Sequence, residues 1–71
     1  MELTDVDSSN IKAWGWEDET LEVEFVKGGR YRYHGVPREV WRALRSASSA
    51  GQAFHRLIRP KQHLYEYKKV S

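Results

Sequence analysis

The sequence has no cysteine, two prolines and one methionine in 71 residues. Without thiols, neither a disulfide framework nor a thiolate metal site can hold so short a chain together. Absent cysteine leaves the compartment open. No apolar run approaches the length of a membrane span, and the N-terminus lacks the basic and apolar blocks of a signal peptide. A cytoplasmic domain with no membrane contact is the expectation. There is no repeat, low-complexity tract or interdomain linker, so residues 1–71 read as a single domain.

Acids are scarce in the second half. Residues 1–29 hold eight carboxylates and two cations, a balance of −6, whereas residues 30–71 hold two carboxylates and ten cations, a balance of +8. Either the halves neutralise each other across the fold or the basic half meets a polyanion.

What is plentiful is aromatic volume: three Trp, four Tyr and two Phe. A chain of this size buries only about 60% of its unfolded surface, so these rings must supply much of the core. The patterning is clearest in residues 21–35, where two alternating runs flank Gly28-Gly29 in the manner of a β-hairpin. Leu21, Val23 and Phe25 share one face, and Tyr31 and Tyr33 must join it if that face is buried. Phe25 opposite Tyr31 and Val23 opposite Tyr33 satisfy this, with residues 27–29 as a three-residue loop. That register sets Glu24 against Arg32 and Glu22 against His34. A two-residue Gly-Gly turn would mix the faces.

Residues 11–17 read as a preceding strand joined through a tight connection at 17–20. Trp16 opposite Leu21 and Trp14 opposite Val23 bring both indoles to the core face. Ile11 then has the wrong parity, which a bulge near Lys12 restores. Gly15, between two Trp, suits a bulge or the close approach of another backbone segment. Residues 1–7 read as a loosely held acidic lead-in.

Pro37 suits the start of a helix. At about 100° per residue, Val36, Val40, Ala43, Leu44 and Ala47 share one arc, with Trp41 at its border. Arg38, Arg42 and Arg45 lie on the opposite side. Ser49 and Gln52 fit a capping box for a second helix. Its apolar face is Ala50, Ala53, Phe54, Leu57 and Ile58, with Arg56 and Arg59 turned away, and Pro60 closes it. Residues 64–70 alternate enough for a short strand or an extended cover. The expected fold is α+β: a three-stranded antiparallel β-meander, two α-helices packed on one face, and a C-terminal extended segment or short strand.

Catalytic and metal signals are weak. His34, His55 and His63 fall on a strand, a helix and a loop, with no partner at ligand spacing. The acids cluster on a turn and an outer strand face, where solvent keeps them ordinary. The serines lack a nucleophile elbow. No enzyme activity and no cofactor are expected. Tyr31 and Tyr33 invite comparison with base-stacking rings on a sheet, but the register argument favours the core. The sharper signal is the arginines. Arg38, Arg42, Arg45, Arg56 and Arg59, with Lys61 after them, form stripes nearly free of acids. A face that serves only solubility usually mixes signs.

The run Ser8-Ser9-Asn10-Ile11, Trp14-Gly15-Trp16, Leu21-x-Val23-x-Phe25, Gly29-x-Tyr31-x-Tyr33, Val36-Pro37-x-x-Val40-x-x-x-Leu44 and Ser49-x-Gly51-x-x-Phe54-x-x-x-Ile58 resembles the KTSC domain. That short module is named for its place at the C-terminus of some lysyl-tRNA synthetases, and it also occurs as free-standing bacterial and phage proteins. The chain looks like the free-standing form. The resemblance implies no catalytic residues and leans toward RNA. The expected function is therefore an accessory module binding structured RNA such as tRNA through Arg38, Arg42, Arg45, Arg56, Arg59 and Lys61. The alternative is a protein–protein interaction module docking an acidic partner. A monomer is the expected state.

Overall fold

The computed structural model describes residues 1–70. The fold is α+β, with two helices against one antiparallel sheet, but the sheet has five strands rather than three, in the order β1-β2-β3-β4-β5. The strands are β1 (Thr4–Asp5), β2 (Ile11–Glu17), β3 (Thr20–Phe25), β4 (Arg30–His34) and β5 (Tyr67–Lys69). Helices α1 (Arg38–Ser46) and α2 (Ala50–Leu57) precede a single 3-10 turn at Arg59–Lys61. None of the helices is long and apolar enough to cross a membrane.

The lead-in is thus a strand, since Thr4 and Asp5 pair with Trp14 and Ala13. The C-terminal segment is also a strand, pairing with β4 through Tyr33↔Tyr67 and Tyr31↔Lys69. Both are short edge strands; the first is too brief to show a period, whereas the alternation of residues 64–70 already allowed the second.

The β2–β3 pairing follows the expected register, Trp14↔Val23 and Trp16↔Leu21. The turn between them is tight, with Asp18 and Glu19 both at positive φ, the backbone of a two-residue hairpin loop. The register shifts between Ile11 and Ala13, and this bulge returns Ile11 to the core.

The β3–β4 hairpin corrects the expected register by two residues: Val23 faces Tyr31 and Leu21 faces Tyr33. The loop still has three residues, but they are 26–28, closed by Phe25 N–H donating to the Gly29 carbonyl at 3.1 Å. Gly28 and Gly29 both take positive φ, 105° and 92°, so both depend on being glycine. The faces survive because a shift of two preserves parity. The physical gain lies on the outer face, where Glu22 now opposes Arg32 and Glu24 opposes Arg30. Two direct acid–arginine pairs replace one such pair and an acid facing a histidine.

Pro37 caps α1 from outside rather than occupying its first turn, and Ala43, expected in the apolar arc, is exposed. The Ser49 hydroxyl accepts from the Gln52 N–H at 3.3 Å, as the capping pattern requires. The α-helix ends at Leu57, and Pro60 lies in the 3-10 turn that follows. The core beneath both helices joins Ile11, Trp14, Leu21, Val23 and Tyr33 of the sheet to Val36, Leu44, Ala53, Phe54 and Ile58. Tyr65, just before β5, is also buried there.

Gly15 has a definite spatial reason. A Cβ at this position would collide with the Glu2 carbonyl oxygen and stand 3.1 Å from the Leu3 side chain. Gly15→Ala is therefore expected to cost about 1–3 kcal/mol, the range for forcing an extra carbon into a filled site. Thermal melting and amide exchange along β1 check this. Unchanged melting with unchanged β1 protection would show that residues 2–3 do not hold that place.

Candidate functional site

The outward positions of α1 and α2 follow from helical spacing, and the structure leaves all six candidate cations exposed: Arg38, Arg42, Arg45, Arg56, Arg59 and Lys61. Among the described residues the ion pairs are made by Lys12, Arg30 and Arg32, and by none of these six. The charge asymmetry thus resolves in two ways. The first-half acids Glu22 and Glu24 are taken up on the outer sheet face, while the helix cations make no ion pair among the described residues.

That outer face is a network of ion pairs in which the buried Arg30 Nε makes no hydrogen bond among the described residues. Arg32 Nε donates to Glu22 Oε1 at 2.6 Å, Arg30 Nε stands 3.5 Å from Glu22 Oε2, and Lys12 reaches Glu24 at 4.0 Å. Glu22 is only 2% exposed. Gly15 lies opposite it in the register, and residues 2–3 fill the space beside it. This buried carboxylate is a structural anchor for two arginines, not a free acid.

The six cations do not form one continuous acid-free stripe. The Arg38 guanidinium lies over the Trp16 ring at 5.6 Å, and the same hollow carries Asp18 and Glu19. The Trp16 indole is fixed from below by donating to the Val36 carbonyl at 2.9 Å. Arg45 borders a cavity with Asp5 and Asp7, and Arg56 borders a polar one with Asp7 and His55. The acids of the N-terminal segment, invisible as neighbours in sequence, have folded against the α1–α2 junction. Arg59 belongs to a different place, the far end of α2.

There it meets an aromatic cluster that sequence reasoning absorbed into the core. Phe54 meets Phe25 and Tyr33 edge-on, each at 5.6 Å, and Phe25 meets Tyr31 edge-on at 5.7 Å. Tyr67 stacks on Tyr33 at 5.3 Å and 26°. Tyr33 is buried, as the register argument requires, whereas Tyr31 is half-buried and Tyr67 is exposed. Burial pushes the Tyr33 phenol up to about 12, against the pull of the nearby Arg59 charge. It therefore stays neutral at ordinary pH. Tyr67 lies on the helix side of β5, opposite Tyr33, within the tail whose alternation allowed a short strand.

Among the described residues no three His, Cys, Asp or Glu side chains gather as a metal site. His55 and His63 are exposed, and His34 Nδ1 lies 3.4 Å from the Thr20 hydroxyl. Trp41 is half-buried and meets Trp14 edge-on at 5.6 Å.

Comparison with known proteins gives a consistent picture. The family model of the KTSC domain matches residues 7–62. An uncharacterized protein of Stutzerimonas stutzeri (strain A1501) is 39% identical over 67 residues, covering 92% of this chain and 94% of its own. Lysine–tRNA ligases of Trichormus variabilis and Nostoc sp. are each 37% identical over 67 residues, but this chain spans only 11% of their length. The crystal structure of a KTSC domain protein from Yersinia pestis superposes with a TM-score of 0.90 at 30% identity, covering 99% of this chain and 97% of that one.

Proposed function

The chain belongs to the KTSC domain family, and from that premise we propose that it is a non-catalytic accessory module that binds structured RNA, tRNA foremost, by phosphate contacts from its helix cations. The observation that carries this reading is the set of six exposed cations on α1, α2 and the 3-10 turn, none of them in an ion pair found among the described residues. Cations without partners are what a phosphate backbone recruits. The similar segment within ligases named for lysine and tRNA supports the choice of RNA. A protein-docking reading through α1 would want an exposed aromatic anchor beside its arginines, and Trp41 is instead half-buried against Trp14.

Arg42→Glu combined with Arg45→Glu tests the reading. Both positions are exposed, so stability is expected to shift by less than about 0.5 kcal/mol for each. Affinity for tRNA is expected to fall, and the slope of log affinity against log salt to become shallower by about 0.7–0.9 for each phosphate no longer engaged. Fluorescence anisotropy with tRNA across a salt series measures both. Wild-type protein that ignores tRNA at low salt sinks the reading. Binding that survives both reversals keeps RNA but moves the binding surface elsewhere, to Arg30, Arg32 or the Lys68-Lys69 pair.

A further inference from the structure

We propose that the groove between α2, the β3–β4 loop and β5 receives an unpaired base of the bound RNA, stacked on Tyr67; this rests on the RNA reading above and gives it a second, chemically different subsite. The groove has a volume of about 660 Å³. Its floor is Tyr33 and Phe54, and its walls are Phe25, Tyr31 and Tyr67. Tyr67 is 46% exposed although its ring stacks on Tyr33. A large ring left so open on an edge strand is a platform with one side already supported. Tyr31, tilted at 52° and 6.3 Å from Tyr67, makes the adjoining wall. Every base presents a flat π face, so an aromatic platform of this kind takes unpaired bases with little regard to sequence.

Charge chooses between occupants. Arg59, Lys27 and His55 line the groove, and among the described residues no carboxylate does. Four other hollows on the molecule each carry at least one carboxylate. Lys69 stands opposite Tyr31 in the sheet. Rings flanked by cations and free of acids suit a nucleotide, whose base stacks while its phosphate meets the cations. The side-chain amides of Asn10 and Gln62 also line the groove. Each offers donors and an acceptor to a base edge. The tertiary arrangement is essential here: Phe25, Tyr31, Phe54 and Tyr67 come from four different elements and meet only in the fold.

The test uses a labelled single-stranded RNA of about eight nucleotides, within the usual span of such sites, a blunt duplex of the same length, and tRNA. Tyr67→Ala is expected to weaken single-strand binding about tenfold, in line with the loss of one stacked base, and to leave duplex binding within about twofold. Tyr67→Phe keeps the ring and is expected to bind as wild type. A 2-aminopurine placed in the single strand is expected to be quenched on binding wild-type protein, a readout that requires no variant to fold. Wild-type protein that binds tRNA and duplex but neither binds nor quenches the single strand overturns the groove and leaves the RNA reading standing. Tyr67→Ala that weakens strand and duplex equally, or neither, also overturns the groove. No binding to any of the three RNAs overturns both. An acidic peptide that binds wild-type protein but not Tyr67→Ala, in the absence of RNA binding, assigns the groove to a protein and overturns the proposal.

Discussion

Tyr33→Ala is expected to destabilise the domain by about 3–5 kcal/mol, the range for deleting a buried aromatic side chain. Tyr33 is 4% exposed, lies opposite Leu21 and touches both Phe54 and Tyr67. Removing its ring opens a cavity between α2 and the sheet and takes away the support beneath Tyr67. Native domains hold only about 5–15 kcal/mol in all, so this one change would remove most of the stability of so small a fold. Urea or thermal unfolding followed by circular dichroism measures it. Near-neutral melting combined with weaker RNA binding would instead make Tyr33 a surface stacking residue. Tyr33→Phe keeps the ring and removes the titrating hydroxyl. The phenol ionises at about 12 in the fold and near 10.0 when unconstrained. As pH rises between those values the unfolded chain releases a proton that the folded chain retains, so stability falls with rising pH over that window. The phenylalanine variant is expected to lack that part of the alkaline loss.

Trp14→Ala is expected to cost a similar amount, about 3–5 kcal/mol. Trp14 is 5% exposed and faces Trp41 of α1 edge-on. Its strand partners are Thr4 on one side and Val23 on the other. The ring therefore joins three separate parts of the fold: the edge strand β1, the sheet centre and α1. Trp41→Ala is expected to cost less, because Trp41 is only half-buried. Denaturant unfolding of both variants checks the ranking, and equal losses would contradict the burial difference. Intrinsic fluorescence gives a second readout, since Trp41 loses its ring partner in Trp14→Ala and is expected to shift toward a solvated emission.

The hairpin shows how far pattern alone reaches. Alternation placed Leu21, Val23, Tyr31 and Tyr33 on one face, and that is where they lie. It left the register open by steps of two, since each such step keeps every side chain on its own face. The choice among them came from the loop, where Gly28 and Gly29 both take positive φ, and from setting Glu22 and Glu24 against arginines. The bulge near Lys12 was readable because Ile11 had the wrong parity for a residue that must be buried. For the candidate site, helical spacing made the exposed arginines readable one by one. Their surroundings were not, because Asp5 and Asp7 come to line a cavity with Arg45 only through folding.

The sequence by itself determined the buried sheet face, the apolar side of α2 and most of that of α1, and the excess of cations in residues 30–71. Each of these follows from local periodicity or composition, which folding cannot rearrange. Only the tertiary structure decided that residues 4–5 are an edge strand, that residues 67–69 pair beside β4, that Glu22 is buried between two arginines, and that five aromatic rings and Arg59 line one groove. A two-residue strand has too few positions to show a period, and the pairing of a short strand is set by the neighbour it lies against. A groove assembled from the β3–β4 hairpin, α2 and β5 exists only once those elements are held together by the core beneath them.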